Sequence, residues 1–223
     1  IDIEKFVNNI DKIKKYIKVS HPKTVLFDYG GPNIGKPLHV GHLRSLNIGR
    51  SLYHIYRLAG HSVLSDIHMG DWGMPIAQII TYIEEKKIDI DNVNIGDLEK
   101  IYPEASKLYL TDDEFKELAQ ANNKRLNKGD SKVLKKWKKL KKISVESIKE
   151  TLGELNHRFD LWMGESDVNH IIPEMVQKLE SEEKISLDGG AYVSNLVSEP
   201  KILITKSDGS YLYLTTDLAT VLY

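Results

Sequence analysis

The feature that most constrains the fold is a repeated order of strand, glycine-containing turn and helix in the first third of the chain. An apolar run at 25–29 leads into glycines and prolines and then into a helical pattern over 43–58, with Gly60 as a predicted helix stop. A second apolar run at 63–67 is followed by a Gly-Asp-Trp-Gly turn and a helical pattern over 75–85. Alternating strands and helices favour a parallel sheet with helices on its faces, so we predict an α/β fold.

The rest of the chain changes from helical to strand-like patterns. Residues 88–179 keep helical spacing of apolar side chains, and Thr111–Glu114 has the pattern of a capping box at a helix start. Outside this stretch the patterns predict an amphipathic helix over 2–18, strands over 191–196, 201–205 and 211–215, a hairpin turn at 207–210, and a helix from Asp217 to Tyr223.

These patterns divide the chain into four predicted parts. We expect a linker helix from an N-terminal region at 1–20, the first half of a catalytic domain at 21–87, a helical insertion at 88–188, and a hairpin with the return to the catalytic core at 189–223. Because the chain begins without Met and ends inside a predicted helix, we expect it to be a fragment of a longer protein, with little activity alone.

Composition excludes several other classes of protein. Among 223 residues, 31 are Lys or Arg, 32 are Asp or Glu, and none is Cys, so disulfides and cysteine-ligated zinc are excluded. No apolar run approaches the ~18 residues of a membrane helix. We therefore predict a cytoplasmic protein without a membrane partner.

One segment is strongly basic. Residues 124–142 contain ten Lys or Arg and one acid. A solvated helix face is the favoured interpretation, and a patch that meets RNA phosphates is the alternative.

The stretch from Tyr29 to Ser45 has the local chemistry of a phosphate site. Unpaired backbone N–H groups and the helix dipole attract anions where a helix begins. His39 and His42 are three residues apart there, so both imidazoles are predicted to face the same way and to donate to phosphate oxygens. Gly41 leaves room between them for a base or a ribose. Since no third acidic or histidine ligand follows closely, we predict no protein metal site.

Motifs along most of the chain resemble those of the arginyl members of the class I aminoacyl-tRNA synthetases. The run Pro-Asn-Ile-Gly-Lys-Pro-Leu-His-Val-Gly-His-Leu-Arg-Ser at 32–45 is similar to that family's signature. Gly-Asp-Trp-Gly at 70–73 and the stretch from Ser207 to Asp217 also resemble family motifs. The similarity covers residues 25–223. It implies a Rossmann-like parallel sheet of the class I synthetase type with a mostly helical insertion.

The resemblance implies arginine activation by ATP with Mg²⁺, followed by transfer of the arginyl group to tRNA(Arg) by a monomeric enzyme. ATP would be bound by Lys36, His39, Gly41 and His42, with the lysine and the two histidines as the catalytic groups. Lys36 occupies the place of a lysine on which family members without a good Lys-Met-Ser-Lys loop are thought to depend.

Seven residues are implied to bind arginine. Asp217 and Tyr213 would bind the guanidinium, whose planar fork pairs best with a carboxylate. The remaining five are Asp28, Gly31, Pro32, Asn33 and His42. Among these, Gly31, Pro32 and Asn33 would hold the α-amino end.

The chain departs from the family pattern at several points. Gly30-Gly31 replaces the usual Ser-Ser, Asp28 stands where Glu is common, and the chain has no Lys-Met-Ser-Lys-like loop. Two alternatives stay open. One is another nucleotidyltransferase with a His-x-Gly-His motif, and the other is a non-catalytic RNA-binding fragment.

Overall fold

Parallel pairing of two short strands organises the first part of the molecule. In the computed structural model, which describes residues 3–9, 17–197, 200–207, 209 and 211–223, strand β1 (Thr24–Asp28) pairs with β2 (Ser62–Asp66). The register joins Thr24 to Ser62 and Asp28 to Asp66. Both strands therefore end at the same edge of the sheet, and this edge carries the two glycine-containing loops, as the sequence predicts.

Helices surround this pair of strands in the unit that ends at Met163. Helix α2 begins directly after the first loop, and α3 begins after the second. The helices of this unit are α1 (Ile3–Val7), α2 (Val40–Ala59), α3 (Met74–Glu85), α4 (Ile95–Thr111), α5 (Asp113–Asn127) and α6 (Ser131–Glu154), with a 3-10 turn at Ile90–Asn92. Among the described residues, no helix is long and apolar enough to span a bilayer.

Two apolar cores stabilise this unit. The larger core joins Ile34 of the first loop to the buried faces of α3, α4, α5 and α6. The smaller core packs Tyr29, Leu46 and Ile67 against Ile148 of α6. Helix α6 belongs to both cores, so the insertion packs directly against the loops that follow the two strands.

The second unit runs from Gly164 to Tyr223. It contains α7 (Glu165–Val168), a 3-10 turn at Asn169–Ile171, α8 (Ile172–Ser181), the antiparallel hairpin of β3 (Ile185–Asp188) and β4 (Ala191–Ser194), and α9 (Tyr213–Leu222). Its core packs α7 and α8 against Ala219 of α9. The predicted domain boundaries remain predictions.

Most predicted elements of the first unit are confirmed to within a few residues. Helix α2 ends where predicted, since Gly60 adopts a left-handed φ of 98° and its N–H bonds back to the last turn. The predicted helix over 2–18 is only partly described: α1 ends at Val7, residues 17 and 18 are not helical, and 10–16 lie outside the described residues.

Three local predictions were wrong. Thr111 is not a helix cap, because α4 continues to that residue and Asp112 instead accepts the N–H of Phe115 at 3.1 Å. Residues 201–205 form only isolated bridges, through Leu203 and Thr205, rather than a strand.

Residues 211–215 are also not a strand, because α9 begins at Tyr213. The preceding N–H, of Leu212, donates to the hydroxyl of Thr215. Strand β3 was not predicted. The turn at 207–210 includes Asp208 and Ser210, which lie outside the described residues.

Half of the cations in the basic segment at 124–142 form ion pairs within the chain. The five pairs are Arg125–Asp130, Lys136–Glu84, Lys139–Asp91, Lys141–Asp71 and Lys142–Glu146. These contacts reduce the charge that the segment offers to RNA, and the pairs of Lys136, Lys139 and Lys141 join α6 to other segments.

A buried hydroxyl of α6 anchors the first loop. The N–H of Gly35 donates to Oγ of Ser144 at 2.9 Å, and Ser144 itself donates to the carbonyl of Leu140. We expect Ser144→Ala to lower the free energy of unfolding by about 1–3 kcal/mol, because a buried N–H loses its acceptor. Ser147→Ala on the same helix is the matched control and should stay within about 0.5 kcal/mol. Urea denaturation measures both changes, and equal losses for the two variants would contradict the anchoring role.

Candidate active site

The paired histidines form the cap of helix α2. His39 is the N-cap residue, with extended backbone angles, and its Nδ1 accepts the N–H of Gly41 at 3.1 Å. In return, Nδ1 of His42 accepts the N–H of His39 at 3.1 Å. The ring centroids lie 4.1 Å apart, so the predicted proximity of the two imidazoles is confirmed.

This capping pattern determines which ring nitrogens carry protons. A backbone N–H can only donate, so each Nδ1 that accepts one is unprotonated and each neutral ring carries its proton on Nε2. Nδ1 of His42 also lies 3.2 Å from the carbonyl oxygen of His39. A proton on Nδ1 of His42 would donate to this carbonyl but would point at the N–H of His39. We therefore assign Nδ1 of His42 as an acceptor. Two Nε2–H donors then remain for an anion.

Burial and charge keep His42 neutral. Partial burial lowers its pKa most, and the charges of His39 and Lys36 lower it further, while a backbone hydrogen bond to His39 opposes them. A neutral imidazole can donate to a phosphate without first losing a proton. Such a ring is suited to hydrogen bonding rather than to general acid catalysis.

Gly41 has a role that the sequence interpretation missed. A Cβ at this position would lie 2.9 Å from both Cε1 and Nδ1 of His39. The imidazole itself, rather than a ligand, fills the space that a side chain would need. A larger residue would displace the ring that caps the helix.

The two glycine-containing loops contact each other directly. Asn33 forms a parallel bridge with Gly70, in which Ile34 N–H donates to Gly70 and Gly70 N–H donates to Pro32. A Cβ at Gly70 would lie 1.9 Å from Oδ1 of Asn33, so a larger residue there would displace the Asn33 amide. The backbone after β1 is fixed by the turn after β2.

Contacts with α6 fix the Gly-Asp-Trp-Gly turn. The carboxylate of Asp71 is fully buried and pairs with Lys141, and the carbonyl of Asp71 accepts the indole N–H of Trp137 at 2.7 Å. Trp72 packs edge-on against Trp137 and donates to Asn127. These contacts give Asp71 and Trp72 structural roles, and their partners Lys141 and Trp137 are ones that no local sequence signal reveals.

Acidic groups gather where the two strands end. Asp28 is exposed and accepts the N–H of His68 at 3.3 Å, and Nδ1 of His68 lies 3.5 Å from Oδ2 of Asp66. Burial opposes protonation of His68, but the nearby carboxylates of Asp66, Asp28 and Asp71 together raise its pKa above the ordinary value. Asp66 is buried and also accepts the N–H of Met163.

The remaining predicted residues fall into two groups. Lys36 is half-buried beside the histidines, while Gly31, which is exposed, and Pro32, which is buried, follow β1. Tyr213 and Asp217 belong to the second unit, where both are exposed on α9. Since they are four residues apart in one helix, they lie on the same face. Asp217 lies inside the helix and is not its N-cap.

The Gly30-Gly31 departure has a backbone explanation. The two residues have φ of 98° and 50°, a region that side-chain-bearing residues rarely adopt. A serine at either position would be strained in this loop. The loss of two hydroxyls therefore accompanies left-handed backbone angles at both positions after β1.

The fold and the paired histidines at the start of α2 define a catalytic domain of the class I tRNA synthetases. The family model described as "tRNA synthetases class I (R), catalytic domain" matches residues 6–223. The chain belongs to this arginine-specific family.

Known proteins support the same assignment. The chain is 38% identical over 222 residues to the arginine–tRNA ligase of Alkaliphilus oremlandii, covering 91% of this chain and 38% of that protein. It is 35% identical to the Francisella tularensis subsp. novicida ligase, covering 89% and 37%. The chain thus spans well under half the length of these curated relatives.

Solved structures agree on the fold. Arginyl-tRNA synthetase from Plasmodium falciparum superposes with a TM-score of 0.73 at 27% identity, over 93% of this chain and 36% of that one. The Thermus thermophilus enzyme gives 0.67 at 22% identity, over 96% and 39%. The second likeness supports the fold alone. The predicted Rossmann-like class with a helical insertion is confirmed.

The pKa values of His42 and His68 should depart in opposite directions from that of free histidine. We expect the pKa of His42 to lie below the ordinary value, so that it is mostly neutral at pH 7, and that of His68 to lie above it. Lys36→Gln removes a positive charge near His42 and should raise its pKa, with little effect on His68. NMR titration of the imidazole Cε1 protons measures both. Indistinguishable midpoints would refute the electrostatic description.

Proposed function

We propose that this chain is the catalytic part of an arginine–tRNA ligase. The observation that carries the proposal is the pair of histidines that cap the start of α2 through Nδ1, in a chain of the arginine-specific family. In the first step, the arginine carboxylate attacks the α-phosphorus of ATP, the bond to the β-phosphate breaks, and pyrophosphate leaves. In the second, a ribose hydroxyl of the terminal adenosine of tRNA attacks the carbonyl carbon, and AMP leaves.

In this proposal the residues around α2 bind the nucleotide. Negative charge builds on the phosphate oxygens during the attack, so donors already aimed at that position lower the barrier. His39 and His42 would donate through Nε2, and Lys36 would add a positive charge. Gly41 would act indirectly, by leaving room for the capping position of His39.

Separate groups of residues are proposed for the two ends of arginine. Backbone groups of Gly31 and Pro32, with Asn33 and His42, would bind the amino-acid end. Support comes from the bridge of Asn33 to Gly70, which gives this loop one conformation.

The guanidinium would be bound by a carboxylate and a hydroxyl. Asp217 offers the charge and Tyr213 a hydroxyl one helical turn away, so together they supply several acceptors for a planar fork with five donors. Asp28, held by the N–H of His68, is proposed as a further arginine-binding acid.

We also propose that ATP arrives with Mg²⁺ bound to its phosphates. Within the described ranges, no group of three or more His, Cys, Asp or Glu side chains could hold a metal. The ion would neutralise charge on the phosphates, with few protein ligands. A monomeric state and a cytoplasmic location remain predictions.

ATP–pyrophosphate exchange tests the proposal directly. The measurements use the full-length protein, of which this chain is the whole or a part, with each of the twenty amino acids, with and without tRNA. We expect exchange with arginine alone among the twenty. Exchange driven by another amino acid, or none under any condition, would refute the proposal.

Asp217 offers a test of the arginine site. Asp217→Asn keeps the shape but removes the charge, and a hydrogen bond to a charged group contributes about 1.5–3 kcal/mol. The KM for arginine should therefore rise ten- to hundredfold, while the KM for ATP should change little. Tyr213→Phe should lose only about 1 kcal/mol.

Asp188→Asn on the β3–β4 hairpin is the matched control, since it removes an equally exposed carboxylate and should leave both constants unchanged. An unchanged arginine KM in Asp217→Asn would remove this residue from the site.

A further inference from the structure

Lys36 is held by an aromatic ring that belongs to the helical insertion. Its Nζ lies 5.1 Å from the ring centroid of Tyr102 on α4, within the range of a cation–π contact. Both side chains are half-buried. A lysine side chain is a flexible four-carbon stem, so a partner of this kind restricts where its charge can go.

The backbone next to this lysine is held by α3 and by the insertion. Gly35 has a φ of 89°, and a Cβ there would lie 2.4 Å from Cδ1 of the buried Ile79 on α3. Its N–H donates to Ser144 of α6. Helix α3 and the insertion helices α4 and α6 thus contact two consecutive residues of the loop.

The charge of Lys36 already acts on His42. It is the smallest of the causes that lower the pKa of that imidazole. The ammonium that lies over the Tyr102 ring is therefore close enough to the start of α2 to act on it electrostatically. Moving the ammonium away from the ring would change its distance to an anion at the helix start.

We propose that Tyr102 is a positioning residue that sets the place of the Lys36 ammonium for contact with the ATP phosphates. The inference rests on the proposed function, since Lys36 is assigned there to the nucleotide. The face of the ring, and not its hydroxyl, does the positioning. Tyr102 is not proposed to contact ATP itself, so its effect on the reaction is exerted entirely through Lys36.

Chemical labelling tests the contact without relying on catalysis. The chain is treated with acetic anhydride, and acetylation of Lys36 is compared by mass spectrometry with that of Lys149. The latter is an internal control, because its ammonium also lies over an aromatic ring, that of Trp162, at 4.8 Å. Tyr102→Leu should raise relative labelling of Lys36 about two- to fivefold. Tyr102→Phe should leave it unchanged. Unchanged labelling in Tyr102→Leu would overturn the proposal.

Exchange kinetics in the full-length protein test the functional consequence. Tyr102→Leu should lower kcat for arginine-dependent exchange about two- to fivefold, with the arginine KM unchanged, and Tyr102→Phe should retain the parent rate. In a Lys36→Gln background, Tyr102→Leu should have no further effect, because its action passes through the lysine.

Each other outcome has a distinct meaning. Equal losses in both backgrounds, or a Phe variant as impaired as the Leu variant, would overturn the positioning role in favour of a packing role. If the parent protein shows no arginine-dependent exchange, the proposed function fails and the catalytic role of Tyr102 fails with it. The labelling result then still decides whether the ring holds the lysine.

Discussion

The buried ion pair between Asp71 and Lys141 is the contact on which the rest of the first unit depends. Its carboxylate is fully buried, so loss of the ammonium would leave a charge in a poorly solvated place. The same residue accepts the Trp137 indole through its carbonyl. Helix α6 therefore holds the turn after β2 in place. It also fixes the loop after β1, because Gly70 of that turn forms a bridge with Asn33. One pair of side chains thereby stabilises both glycine-containing loops.

The insertion is consequently part of the catalytic core in a physical sense. Ser144 binds the backbone of Gly35, and the ring of Tyr102 lies beside Lys36. These contacts join segments that are more than sixty residues apart in the chain. Segments joined by buried polar contacts and a shared apolar core are expected to open together rather than independently.

Local signals were sufficient for the parallel strands, α2 and α3, because apolar period, glycine turns and a Pro in the first turn all agree there. Local signals failed where the same short segment suits two different local structures. Thr111 and Asp112 both suit a helix cap, and the extension of α4 decided between them. The run from Tyr211 to Thr215 alternates like a strand, yet it leads into α9. The contacts of Lys141 and Tyr102 could not be predicted, since they depend on how distant helices pack.

The imidazole cap of α2 has an evolutionary consequence. Each ring uses Nδ1 to hold the helix start and leaves Nε2 for a ligand. An asparagine could replace the acceptor but would not carry a donor at the same distance on the opposite side of a rigid ring. A lysine or arginine would offer donors but no acceptor. Only a five-membered ring with two nitrogens meets both demands at once, so selection for foldability and selection for chemistry act on the same two residues. The sequence of the motif is therefore expected to change far less during evolution than it would under either requirement alone.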